Sequence, residues 1–207
     1  MKKLENIKES LNILGQLATQ LDYLKENWLI LFQNQESMSH LKLDGFYQNQ
    51  TFVETTSGVI QNMIILKANA FLDEYNQEFN ISKFPEFKDH ILRIKISCKP
   101  ILRVINKWSG IKSYRNEILG HNLRKDGESI FLNQTEYKIP YTNYDHLALC
   151  DLIFMIADQL KYEFEVTMKD LSVTNFIGHV SIKEENLLSP KDLEALKKEV
   201  YSKRSEG

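Results

Sequence analysis

Residues 88–108 read KDHILRIKISCKPILRVINKW, and the spacing of their apolar side chains indicates an α-helix. Apolar side chains recur at steps of three and four residues, at Ile91, Ile94, Cys98, Ile101, Ile105 and Trp108. This is the period of one buried helix face. Pro100 lies within the pattern and has no N–H for the carbonyl of Ile96, so a kink is expected there. The stretch therefore predicts a long amphipathic helix that bends near its middle.

The same periodicity extends through most of the chain. Apolar stripes predict further helices over 3–32, 53–79, 111–122 and 143–166, and a last helix that begins at Ser189-Pro190. Glycine (8) and proline (4) are scarce, which favours long helices with few connections. We predict an all-α fold, an antiparallel helical bundle over 1–168 with a C-terminal extension over 169–207 that carries one helix.

Two segments break the helical pattern. The polar stretch 33–50 predicts a loop, with Asp44-Gly45 as a turn signal. Residues 123–143 are irregular, and within them 129–132 and 136–139 are expected to pair as a small hairpin. Thr142 and Asp145 then form a capping box that starts the fourth main helix.

Composition and segment patterns argue against a secreted protein, a membrane protein and a metalloprotein. The chain has 207 residues with 43% hydrophobic and 26% charged side chains, which is typical of a soluble globular domain. No secretory signal or membrane span is recognised, and Cys98 and Cys150 are expected to be buried reduced thiols, so we expect a cytoplasmic protein. Neither a metal site nor a cofactor is expected, because the histidines are dispersed, at His40, His90, His121, His146 and His179.

Positive charge is concentrated in one region. Residues 88–125 hold ten basic residues and only two acidic ones, although the whole chain carries −2. Four of the basic residues step by four along the predicted helix: Lys95, Lys99, Arg103 and Lys107. Together with Lys112, Arg124 and Lys125 they are candidates for binding RNA phosphates. The alternative is a solvated helix face that pairs with neighbouring acidic helices, for which Asp151 and Asp158 are candidates.

The basic region contains the stretch SYRNEILGHNLRK, residues 113–125. On a helix, Arg115 and His121 flank the same inward face, about 9 Å apart along the axis. Histidine titrates near neutrality and moves protons, whereas arginine carries a permanent charge that binds phosphate in bidentate fashion. Metal-independent RNA cleavage needs both of these functions. The alternative is structural, with His121 in the core and Arg115 in an internal ion pair.

The stretch resembles the signature of HEPN domains (higher eukaryotes and prokaryotes nucleotide-binding), in which an arginine and a polar residue precede a histidine by a few positions. Here the signature is Arg115, Asn116 and His121. The resemblance implies an all-α bundle and a metal-independent endoribonuclease, with His121 as acid/base, Arg115 as phosphate-binding cation and Asn116 as an orienting group. It also implies a homodimer that acts on RNA as a toxin or antiphage defence protein, with an antitoxin as a further partner.

Two features limit what the resemblance implies. In members partnered with a nucleotidyltransferase, a tyrosine often follows the histidine by two residues, but this position is Leu123, so that modification chemistry is not expected. Other members are inactive. A catalytically silent nucleotide-binding, RNA-binding or protein-interaction module is therefore the second hypothesis, and a purely structural helical protein is the third.

Overall fold

The computed structural model describes residues 2–41, 51–119, 124–125, 128–129 and 136–164. Its α-helices are α1 Lys2–Gln33, α2 Gln35–Met38, α3 Phe52–Asp73, α4 Lys88–Ser97, α5 Lys99–Ile105, α6 Ile111–Tyr114 and α7 Asn143–Glu163. The shorter elements are two π-helical turns, Glu74–Glu78 and Arg115–Leu119, one 3-10 turn, Pro85–Phe87, and the two-residue strands β1 Arg124–Lys125 and β2 Glu128–Ser129. The all-α fold class is confirmed. All described residues belong to one compact unit, Met1–Ser172.

Side-chain caps set the starts of α3 and α7. The Thr51 hydroxyl accepts from the Glu54 N–H, while the Glu54 carboxylate accepts from the Thr51 N–H at 3.0 Å. Thr142 and Asp145 form the same reciprocal pair, as their spacing predicted. Backbone N–H donors lower the pKa of both carboxyl groups, because they favour the ionised form.

The helix around Pro100 is interrupted, as predicted. α4 ends at Ser97 and α5 begins at Lys99, so that Cys98 lies at the break and Pro100 falls in the first turn of α5. A proline in a first turn costs no hydrogen bond, because the first N–H groups of a helix have no partner within it. The buried stripe continues across the break from Ile94 to Ile101.

Three predictions about connections differ from the structure or fall outside it. The strands that pair are β1 and β2, antiparallel, with Lys125 opposite Glu128. Residues 136–140 form no strand, so the predicted pairing of 129–132 with 136–139 was wrong. Lys125-Asp126-Gly127 is a stronger turn signal than the residues between the predicted strands. The predicted loop 33–50 contains the short helix α2. The predicted extension 169–207 lies outside the described residues.

The three long helices share one core. The Ser10 hydroxyl donates to Glu74 at 2.5 Å, and the Trp28 indole N–H donates to Ser57 at 3.0 Å, so α1 runs antiparallel to α3. The Trp28 ring also packs edge-on against His146 near the start of α7, with ring centroids 5.5 Å apart. Burial lowers the pKa of His146, whose Nδ1 lies 2.8 Å from the Thr142 carbonyl.

Aromatic rings close the core at the carboxyl end of α3. Phe71, Tyr75 and Phe79 follow one another on one face with stacked rings, and Phe79 meets Phe164 edge-on at 6.0 Å. All four side chains are buried. The rings join the end of α3 to the end of α7, so large aromatic side chains fill this end of the core.

Substitution of Ile64 tests this core. Ile64 is fully buried in α3, so Ile64→Ala is expected to lower the free energy of unfolding by about 2–5 kcal/mol through lost burial and a cavity. Val59 is 57% exposed on the same helix, so Val59→Ala is the matched control and should change stability by about 0.5 kcal/mol or less. Urea denaturation followed by circular dichroism measures both. Equal effects of the two substitutions would contradict the packing described.

Candidate functional site

The signature residues Arg115 and Asn116 open the second π-helical turn, Arg115–Leu119, directly after α6. A π-helical turn contains an extra residue, so its side chains depart from the ordinary helical spacing, and such turns are frequent at functional sites. The backbone just before α6 is fixed by Gly110, whose N–H donates to the Lys138 carbonyl at 2.9 Å. A Cβ on Gly110 would lie 2.7 Å from the Lys138 nitrogen, so only glycine permits this approach.

Arg115 is bound to the end of α3. Its Nη2 donates to Asp73 Oδ2 at 3.0 Å, and both side chains are about one-third exposed, at 35% and 32%. Asp73 also accepts from Asn69 at 2.8 Å and from Gln77 at 3.2 Å, so the carboxylate is held in place by three donors. The Nε of Arg115 is buried and has no partner among the described residues. The guanidinium is therefore oriented by Asp73, which is its one hydrogen-bond partner among the described residues.

Tyrosines hold the turn on either side. The Tyr114 hydroxyl donates to Asn62 on α3 at 3.2 Å, and the Tyr137 hydroxyl donates to Glu117 at 2.7 Å. The two tyrosine rings meet edge-on, with centroids 5.5 Å apart. The Asn116 side chain is partly exposed and makes no hydrogen bond with another described residue. The side-chain amide of Asn116 therefore does not stabilise the turn through a hydrogen bond to a described residue.

Part of the predicted site lies outside the described residues. His121 lies outside the described residues, and of Arg124 and Lys125 only the backbone is described, as strand β1. The placement of His121 beside Arg115 therefore stays a prediction.

Most of the basic row faces solvent. Lys99, Arg103, Lys107 and Lys112 are exposed, and none forms a salt bridge with a residue in the described ranges. The predicted acidic partner Asp151 instead binds Lys25 at 2.6 Å. These four cations are thus available to an anionic partner.

Lys95 does not belong to this exposed row. Its ammonium donates to the Tyr75 carbonyl and lies 3.5 Å from the centroid of the Tyr75 ring. Burial lowers its pKa to about 8. The physical reason is helical geometry: each step of four residues turns about 40° around the axis, so the first member of the row is carried towards the core. The expectation that Lys95 faces RNA phosphates is corrected accordingly.

Sequence reasoning missed Asp73 and Gly110 as parts of the site. Asp73 lies 42 residues from Arg115, and no local spacing connects them. Gly110 follows Ser109 in what reads only as a helix break, although the pair does mark the start of α6. The contact that makes Gly110 necessary is with Lys138, in a segment that has no secondary structure.

Comparisons with family models, with curated proteins and with solved structures found no match to this chain. Within the described ranges, no group of three or more His, Cys, Asp and Glu side chains is arranged to hold a metal ion. Among the helices described, none is long and apolar enough to cross a bilayer. Function is therefore inferred from the signature and from the geometry around Arg115.

The packing of Lys95 against Tyr75 predicts a lowered pKa that can be measured. After reductive ¹³C-methylation of the lysines, the Lys95 resonance should titrate near pH 8, because burial disfavours its charged form. An ordinary lysine titrates at about 10.4. Loss of a single resonance in Lys95→Arg assigns it. A Lys95 resonance that titrates with the bulk of the lysines would contradict its burial against Tyr75.

The ion pair between Arg115 and Asp73 should contribute little to stability. Because both side chains are about one-third exposed, solvent screens their attraction, and Arg115→Ala is expected to cost about 1 kcal/mol or less. Asp73→Asn keeps an oxygen acceptor and should cost about as little. Urea denaturation checks both variants. A loss above about 3 kcal/mol for Arg115→Ala would show that the arginine is mainly structural.

Proposed function

We propose that this protein is a metal-independent endoribonuclease of HEPN type, with Arg115, Asn116 and His121 as its catalytic residues. The proposal rests on the hydrogen bonds and the exposure of the Arg115 guanidinium. It is fixed by one bond to Asp73, yet it is partly exposed and its remaining donors are unbonded within the described residues. An oriented cation with free donors suits a phosphate group whose charge increases during reaction.

The chemistry follows from the residue types. The ribose 2′-oxygen forms a bond to the adjacent phosphorus, the bond from phosphorus to the 5′-oxygen breaks, and a 2′,3′-cyclic phosphate and a 5′-hydroxyl result. His121 transfers a proton to or from the reacting oxygens, and Arg115 stabilises the charge on the phosphate. Asn116, whose side-chain amide has no partner within the described ranges, orients the phosphate or His121.

The exposed cations support RNA as the substrate class. Lys99, Arg103 and Lys107 repeat every four residues through α5 and just beyond it, which places them about 6 Å apart along a helix axis. Such a row suits a strand of regularly spaced phosphates, and Lys112, Arg124 and Lys125 extend the positive charge towards the signature. We further propose a cytoplasmic homodimer that acts as a toxin or antiphage defence protein and is controlled by an antitoxin.

The second hypothesis, a catalytically silent HEPN-like module, is favoured by the same Arg115–Asp73 ion pair. A carboxylate on the guanidinium competes with phosphate and reduces the net positive charge of the site. Such a module would bind RNA, a nucleotide or a protein partner without turnover.

Cleavage of RNA in EDTA decides between these hypotheses. Wild type is expected to leave 2′,3′-cyclic phosphate ends, and His121→Ala and Arg115→Ala should each lower the rate by at least about 100-fold, since each removes a group that acts in the transition state. His40→Ala, in the exposed turn after α2, is the matched control and should retain full activity.

Asp73→Asn separates a catalytic Arg115 from a structural one. If Arg115 acts on phosphate, removing the competing charge should preserve or raise the rate of cleavage. If Arg115 matters only through its ion pair, Asp73→Asn and Arg115→Ala should lose activity together. Cleavage that persists in both His121→Ala and Arg115→Ala, or that is absent in wild type, would refute the proposal.

A further inference from the structure

Helix α3 has a second apolar face besides the one that is buried in the core. The core face consists of Ile60, Ile64, Ala68 and Phe71. The second face, called the α3 seam below, consists of Thr56, Val59, Met63, Leu66 and Ala70. Val59 is 57% exposed and Met63 is 37% exposed, and the other three are partly exposed. A helix that is apolar on both sides is usually buried on both sides, so the exposure of the seam needs an explanation.

Neighbouring helices bind α3 beside the seam and leave the seam itself uncovered. The Trp28 indole of α1 donates to Ser57 at 3.0 Å, and the Tyr114 hydroxyl of α6 donates to Asn62 at 3.2 Å. Both contacts are within one residue of a seam position along the chain, yet Val59 keeps more than half of its exposure. The seam is therefore an apolar strip between two packed elements.

The absence of charge distinguishes the seam from the exposed faces of two other helices. None of residues 55–66 is charged. In contrast, the exposed face of α7 carries Asp151 and Asp158, and that of α5 carries Lys99 and Arg103. Nucleic acids and charged peptides are bound by charged groups, whereas the centre of a homodimer interface is apolar and depleted of charge. The seam therefore fits an uncharged apolar surface like itself.

The spacing and the sizes of the seam side chains make it complementary to itself. Its members alternate at steps of three and four residues, which is the spacing of paired helices. In an antiparallel pair with a twofold axis at residue 61, Val59 meets Met63 of the second copy, and Thr56 meets Leu66 of the second copy. Each layer then places a smaller side chain opposite a larger one, so that the layers interdigitate. A surface that is complementary to itself suits a symmetric dimer.

We propose that the α3 seam is the interface of a homodimer, in which α3 packs antiparallel on α3 of a second copy of this chain. The inference rests on the proposed function only in that it gives the proposed homodimer its interface, and it concerns assembly and not cleavage. Asp73 lies about 18 Å along the axis from residue 61, so the two Arg115–Asp73 pairs are about 36 Å apart along it. Each protomer thus keeps an Arg115 site of its own.

Sedimentation of the protein in solution tests the interface. Wild type should sediment as a dimer at micromolar concentration. Met63→Lys should raise the dissociation constant at least about 30-fold, because each dimer would bury two unpaired ammonium groups. Tyr162→Lys, at a position on α7 that is 79% exposed, is the matched control and should leave the mass unchanged. Circular dichroism checks that both variants keep the fold.

An exchange of side-chain size tests the pairing of Val59 with Met63. Val59→Met places two methionines opposite each other, and Met63→Val places two valines there, so each should weaken the dimer about tenfold through overpacking or a cavity. The double variant restores a larger side chain opposite a smaller one and should bind within about threefold of wild type. Such a rescue is not expected if the two side chains act separately at the surface of a monomer.

Dimerisation also affects measurements of stability. A second copy that binds only the folded chain stabilises it by mass action. The unfolding of Val59→Ala and Ile64→Ala is therefore compared at concentrations at which the monomer predominates.

The two proposals fail separately. A wild type that stays monomeric, a dimer that resists Met63→Lys, or a double variant that is no tighter than the single ones would refute the interface, and the seam would then be free or covered by another segment or protein. If the dimer behaves as described but wild type does not cleave RNA, the interface stands and the endoribonuclease proposal is refuted. If wild type cleaves RNA as a monomer, the interface alone is refuted.

Discussion

The carboxyl end of α3 and the π-helical turn that follows it form a junction between several elements of the fold. Three successive residues there each bind a different element: Asp73 binds Arg115 of the second π-helical turn, Glu74 binds Ser10 of α1, and the Tyr75 carbonyl binds Lys95 of α4. A regular α-helix uses its backbone carbonyls internally, but the last turn of a helix leaves them free. The first π-helical turn, Glu74–Glu78, lies at this point, and a side-chain ammonium satisfies the carbonyl of Tyr75.

The junction brings the aromatic core next to the candidate site at Arg115. The aromatic rings of Phe71, Tyr75 and Phe79 hold the end of α3 in the core, and the residues between them place polar groups at its edge. Arg115 and Lys95 both reach this edge, but with different outcomes. Lys95 is half-buried against Tyr75, and desolvation lowers its pKa to about 8. Arg115 is about one-third exposed, and within the described ranges Asp73 is its one hydrogen-bond partner, which leaves room for the phosphate contact proposed above.

The sequence predicts the elements that local spacing determines and misses those that distant contacts determine. Steps of three and four residues identified the buried stripe from Ile91 to Ile105, and Pro100 and the Thr142 capping box set element boundaries correctly. No local pattern could pair Arg115 with Asp73 or His90 with Glu163, because the partners lie 42 and 73 residues apart in the sequence. Lys95 shows what sequence spacing cannot predict. Residues at steps of four rotate gradually around the helix, and only the packing of the helix shows which of them lies against the core.

The role of Arg115 would be seen in a crystal structure of the protein with a bound 2′-O-methyl RNA strand. We expect a phosphate within hydrogen-bond distance of the Arg115 guanidinium, with Asp73 still bonded to Nη2 and with His121 in reach of the same phosphate. A strand that follows α5 but leaves Arg115 paired only with Asp73 would refute this role, and the contacts at the end of α3 would then be structural alone.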